Sequence, residues 1–131
     1  MNIPSEDIKD MLEDESSLAL TFATNLFIGR EPSQPDDCVT IFDTYGFPPL
    51  LTLDGKDAYY YPSVQILVRN SSYTTGLELI QDIRTVLHGK GPETWNATLY
   101  TVIYCSSGPA LRDWDENNRA HFIINFNMNR R

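Results

Sequence analysis

The residues best equipped for chemistry are a carboxylate run around an aromatic, Asp113-Trp114-Asp115-Glu116, and two thiols, Cys38 and Cys105. Carboxylates beside an aromatic can divide acid and base roles if the ring desolvates one of them. The same run also reads as a solvated acidic loop, and it lacks the ligand spacing of a calcium loop. Cys105 precedes Ser106-Ser107-Gly108, where a turn could present a thiol, but no Lys or Arg adjoins it to favour the thiolate. Both cysteines sit in apolar runs, where a free thiol packs as a small hydrophobe. No Cys-x-x-Cys occurs, and His88 and His121 stand far apart, so no zinc spacing exists. The nucleophile elbow G-x-S-x-G and the glycine-rich phosphate loops are also missing. The residue types therefore predict no catalytic residue, no cofactor and no metal.

Charge narrows the partners. The chain has 131 residues, 41% of them hydrophobic, and a formal net charge of −8. Phosphate binding needs clustered Lys and Arg, and the basic cluster here is Arg130-Arg131, aided by Arg119. An acidic surface suits DNA only where DNA must slide past without sticking. Glu6, Asp7, Asp10, Glu13, Asp14 and Glu15 crowd one N-terminal segment, as on a solvated helix face. No apolar stretch approaches the roughly 18–20 residues of a membrane span. Met1 to Asp7 lacks the basic and apolar regions of a secretory signal, so the chain reads as intracellular at synthesis, and the sequon Asn96-Ala97-Thr98 reads as chance. The length suits one domain spanning 1–131.

The elements that would position these residues follow from periodicity. Residues 5–15 predict a short helix capped by Ser5, with Glu6 and Asp7 at its positive end. Leu18 to Thr24 is compatible with helix or strand. Glu31 to Asp37 is loop by composition. Cys38 to Asp43 predicts a buried strand, Thr44 to Pro49 a turn, Leu50 to Leu53 a short edge strand, and Asp54-Gly55 another turn. Ser63 to Arg69 predicts a strand with Val64, Ile66 and Val68 on one face. Tyr73 to His88 is the clearest helix: Leu77, Ile80, Ile83 and Leu87 repeat at helical spacing, Ser72 offers a cap, and Gly89 fits the left-handed position after the end. Ala97 to Cys105 predicts a strand, Ser106 to Pro109 a turn, and Asp113 to Asn118 an acidic loop. Arg119 to Met128 alternates, with Ala120, Phe122, Ile124, Phe126 and Met128 inward and the opposite face wet or partner-facing. Strands in runs with a helix on one face define an α+β fold: an antiparallel or mixed sheet packed by an amphipathic helix, with a short N-terminal helix.

Three features suit contacts with other proteins. Tyr59, Tyr60 and Tyr61 cluster before Pro62, and tyrosine is enriched in interfaces as well as in strand packing. Phe47-Pro48-Pro49 puts stiff apolar residues in a predicted loop, where docking loses little entropy. Strands flanked by Pro and Gly leave edges that another chain could pair.

At this point the chain resembles a family, the tail-terminator or minor capsid proteins of long-tailed bacteriophages. Residues 37–49, DCVTIFDTYGFPP, are similar to the family's CVxxYDTGGxPP segment, with Tyr45 where glycine is usual. YPSVQILVR at 61–69 is similar to YPxVQIxVR, the helix from Tyr73 to His88 to YxxGxxLxxxIxxxLHG, and Asp115 to Phe126 to DENGRxxFxxNF. The four motifs occur in order between about residues 26 and 128. The resemblance implies a non-enzymatic virion protein, made in the host cytoplasm, that forms a hexameric ring. The ring caps the tail tube, meets the head-tail connector protein, and lets DNA pass through its lumen. Under that reading Phe47, Pro48, Pro49, Tyr59, Tyr60 and Tyr61 are interface candidates, and Asp113, Asp115 and Glu116 are lumen candidates. Two other classes stand beside it: a monomeric acidic module that mimics DNA or covers a basic partner, and a small hydrolase using Asp113 and Glu116.

Overall fold

The computed structural model describes residues 1–53 and 57–131, so the Asp54-Gly55 turn expectation lies outside the described residues. Among the described residues the strands are β1 (Leu26–Ile28), β2 (Cys38–Leu51), β3 (Asp57–Asn70), β4 (Glu93–Trp95), β5 (Thr98–Trp114) and β6 (Ala120–Arg130). The helices are α1 (Pro4–Asp14), a single 3₁₀ turn (Ser16–Leu18) and α2 (Tyr73–Leu87). The strands form one mixed sheet in the order β1-β2-β3-β6-β5-β4. β1 runs parallel to β2, and the other neighbours are antiparallel. The architecture is α+β, as expected.

Both helices lie on one face. α1 packs near β1, β2 and β3, and α2 near β3, β6 and β5. Val64, Ile66 and Val68 of β3 and Phe122, Ile124, Phe126 and Met128 of β6 are fully buried there against Ile80, Ile83 and Leu87 of α2 and Ile8 and Leu12 of α1. The alternation read in β3 and β6 is thus the core face. Each such side chain contributes roughly 1.5–3 kcal/mol when removed from water. The Ser72 hydroxyl accepts from the Thr75 N–H at 3.3 Å, and Gly89 follows the helix at φ +82°, as the stop signal predicts. Gly76 lets α2 approach the sheet, since a Cβ there would lie 2.6 Å from the Phe122 ring.

Several expectations are corrected. Ser5 does not cap α1. Ile3 holds the cap position and Ser5 lies inside the first turn, where its N–H (3.0 Å) and hydroxyl (2.7 Å) donate to the Asp43 carboxylate on β2. The strand therefore supplies the cap. Thr44 to Pro49 is not a turn: β2 runs through it to Leu51 and absorbs the separate edge strand expected at Leu50–Leu53. Proline tolerates this position because Pro48 and Pro49 fall in a register shift between the paired residues Phe47 and Leu50, on a strand whose other neighbour, β1, stops opposite Ile41. Ser106 to Pro109 is likewise part of β5, where Gly108 and Pro109 lie in the shift between Ser107 and Ala110. Gly108 sits at φ +87°, and a Cβ there would meet the Ile123 carbonyl oxygen at 2.8 Å. Asp113 and Trp114 end β5, leaving Asp115 to Asn118 as the turn into β6.

Candidate interaction surfaces

β2 and β3 outrun the rest of the sheet. β6 ends its pairing with β3 at Arg130 opposite Tyr60, while β2 and β3 continue to Leu51 opposite Asp57. The result is a two-stranded arm, Pro48–Leu51 against residues 57–59, that prolongs the free β2 edge carrying Tyr45 and Phe47, whose partner Tyr61 still lies within the span β6 joins. Along this edge and arm Tyr45 and Leu53 are fully exposed, Phe47 (66%) and Leu51 (67%) largely so, and Leu50 about half. Pro48 and Pro49 are exposed as well, whereas Tyr59, Tyr60 and Tyr61 at the root are half-buried. The Arg131 guanidinium lies 5.3 Å from the centre of the Tyr59 ring, a cation–π contact. A cleft of about 360 Å³ opens at the root, lined by Pro4, Phe47, Pro49, Tyr60, Tyr61 and Arg130 among others.

The root is fixed by a buried carboxylate. Asp7 on α1 is fully buried; it accepts from Asn96 at 2.7 Å and from the Tyr100 hydroxyl, with Arg130 at 3.6 Å. Burial, reinforced by the hydrogen bond to Asp7, pushes the Tyr100 hydroxyl well above the ordinary tyrosine range. Arg130 and Arg119 are both buried at opposite ends of β6, so of the sequence's basic cluster only Arg131 is exposed.

The lower half of the second sheet face is not wet. Residues 29–37 cross it as a strap, and the buried Arg69 on β3 holds the strap down. Its guanidinium donates to the carbonyls of Pro32 (2.6 Å), Pro35 (2.6 Å) and Asp36 (3.0 Å) and pairs with Glu31 at 2.6 Å. Arg119 adds the Ser33 carbonyl at 2.8 Å and Asp36 at 3.2 Å. His121 is 5% exposed, with Nδ1 2.8 Å from Asp113 and Nε2 3.1 Å from Glu31. The sequence holds a signal for this arrangement: Arg69, Arg119 and His121 alternate onto the face opposite the apolar residues, and the loop facing them carries Glu31, Asp36 and Asp37. Cys38 lies beside it, and burial raises its thiol above the usual range.

This network includes two of the three acidic candidates. Asp113 is exposed and engages both His121 and Arg112, the latter at 3.4 Å. Asp115 accepts from the backbone N–H of Asn117 and Arg119 and from the Arg119 Nε at 2.7 Å. Burial favours its neutral form, but those donors outweigh it and hold the carboxyl below its ordinary range. Desolvation likewise works against Arg119, and Asp115 and Asp36 more than offset it. Glu116 is exposed. Trp114 stacks on Tyr73, with centroids 6.5 Å apart and planes 18° apart. Cys105 directs its thiol to the carbonyls of Ser107 and Gly108 at 3.5 Å, while His88 Nδ1 accepts from the Cys105 backbone N–H at 2.9 Å.

Above the strap the second face carries an amide ladder, in which Gln65 donates to Asn125 at 3.2 Å and Asn125 to Ser107 at 2.8 Å. Among the described residues no cluster of His, Cys, Asp and Glu has metal-site geometry, and no helix is long and apolar enough to cross a membrane.

The described residues thus form an α+β sheet with helices on one face, a strap over part of the other and an exposed apolar arm at one end. The family model for bacteriophage tail terminator proteins matches residues 5–131, and the chain belongs to that family. It is a structural protein of the phage tail. Comparison with curated proteins returns no match.

Proposed function

We propose that the chain, acting as one domain, forms a homo-oligomeric ring, a hexamer on the family pattern, that caps the tail tube and joins it to the head connector. The observation that carries this reading is the arm and the β2 edge leading to it: a family member matched over residues 5–131 leaves Tyr45 and Phe47 uncovered on a free sheet edge and Leu51 and Leu53 uncovered beyond the end of β6. An isolated two-stranded ribbon is marginal in water and gains stability from a further surface. Phe47, Pro48, Pro49 and the three tyrosines at the root form the subunit contact in this reading. Asp113, Asp115 and Glu116 face the lumen and help keep DNA from adhering. The protein acts in the virion, at the head-tail junction.

Phage lacking the gene tests this. Their lysates are expected to contain heads and tails that fail to join, with tails of irregular length, and added purified protein is expected to restore infectious particles. Tails of normal length joined to heads without the protein would overturn the reading.

A further inference from the structure

We propose that the arm of one copy docks on the Tyr73–Trp114–Leu111 patch at the opposite end of a second copy. This rests on the ring reading and adds the acceptor surface to it. Five large apolar side chains on the arm and the free β2 edge at its root (Tyr45, Phe47, Leu50, Leu51 and Leu53) are more than half exposed. At about 200 Å² for a large side chain they present roughly 800 Å², one partner's share of a standard interface.

The acceptor patch lies where β5 turns into β6. Tyr73 stacks on Trp114 and tilts against Phe122 at 5.4 Å, which fixes both exposed rings. Tyr73, Trp114 and Leu111 are each 40–49% exposed. Register places Leu111 opposite Phe122 and Trp114 opposite Ala120, both buried in the helix-side core, so the patch sits on the helix side of the sheet. Rigid Trp and Tyr with hydrophobic faces open are the residue types that anchor interfaces.

Position selects a second copy as the occupant. β3 runs from Tyr60 at the arm's root to Asn70, which pairs with Ala120 beside the patch. At ~3.3 Å per residue that is about 33 Å, so arm and patch cannot meet within one chain. Each copy therefore offers one donor and one acceptor of different shape, the requirement for a head-to-tail contact that closes into a ring.

The test is directional crosslinking of the full chain in a Cys105→Ser background, alone at high concentration and on tail tubes. One preparation carries Phe47→Cys and another Trp114→Cys, each checked for a native circular-dichroism spectrum. Leu53→Cys with Leu111→Cys serves as a second pair should either fail to fold. Disulfide-linked dimers are expected only when the two preparations are mixed, and a chain carrying both substitutions is expected to give a ladder of linked oligomers. Dimers from Phe47→Cys alone would overturn the proposal in favour of an arm-to-arm contact. Rings that form without the mixed product would overturn the docking and leave the ring reading standing, with the arm then covered by another tail protein. Chains that stay monomeric in solution and on tubes would overturn both.

Discussion

The base and the end of the β2–β3 pair are built from the same two strands and meet opposite fates. At the base, Val39, Ile41, Val64, Ile66 and Val68 vanish beneath the helices, and Arg69 on the other face vanishes beneath the strap. Four to ten residues beyond Ile41, with the pairing still running, Tyr45, Phe47 and Leu51 stand in solvent. Strand pairing is a local property; burial depends on what the rest of the chain lays over it. At the base the chain supplies both covers, and along the arm it supplies neither. The apolar arm is thus a surface whose sequence suits a cover from outside the chain.

The sharpest way to break the base is to remove Arg69. Its guanidinium serves Glu31 and three strap carbonyls at 2.6–3.0 Å with 2% exposure. Arg69→Ala leaves those acceptors facing a void, and losing one partner of a buried pair costs about 3–5 kcal/mol. A urea titration should show the midpoint falling accordingly, and a loss below 1 kcal/mol would mean that the strap is not held by this residue. Next in size is Gly76→Ala, where the new Cβ meets the Phe122 ring at 2.6 Å and Asn70 Cβ at 2.9 Å. Overpacking of about 1–3 kcal/mol outweighs a helix-propensity gain of up to about 1 kcal/mol. Thermal melts should show a lower midpoint, and an unchanged one would show the helix–sheet gap to be looser than this.

What was legible in the sequence divides along the same line. The inward residues of β3, α2 and β6 could be read because alternation and helical spacing report directly on a face that packs within the chain. The turn expectations at 44–49 and 106–109 failed because Gly and Pro mark irregular backbone, and a long strand absorbs them in bulges as readily as a turn does. The strap network was invisible to local reasoning because Arg69 meets Glu31 across 38 residues and His121 meets it across 90. Phe47-Pro48-Pro49 reads as stiff and apolar, but only the register reveals that Phe47 stands on a free β2 edge opposite Tyr61 and that the prolines open the arm past the β6 terminus at Arg130.

A pH titration adds a smaller effect at the sheet's lower end. The Asp115 carboxyl is held below its ordinary value in the fold, so the unfolded chain takes up this proton first as pH falls. The stabilisation is fully present above the ordinary aspartate range and is lost as pH drops through the lowered folded value. Asp115→Asn should flatten the acid limb of the stability–pH profile, below the ordinary aspartate range, leaving the neutral-pH region with only the offset from the lost ion pair. An unchanged acid slope would show that other carboxyls set it.

The smallest effect on stability is expected on the arm, and that is where it says most. Phe47→Ser with Leu51→Ser removes large side chains that are about two-thirds exposed and make no core contact. Substitutions at such sites usually change stability by no more than about 0.5 kcal/mol. Urea midpoints should therefore match the unsubstituted chain, whereas assembly, read as head-to-tail joining in a complemented lysate, should fall sharply. A large loss of stability would place a hidden cover on the arm within the chain. Unchanged joining would mean that the arm contributes no interface, and the contrast between base and arm would then be one of exposure alone.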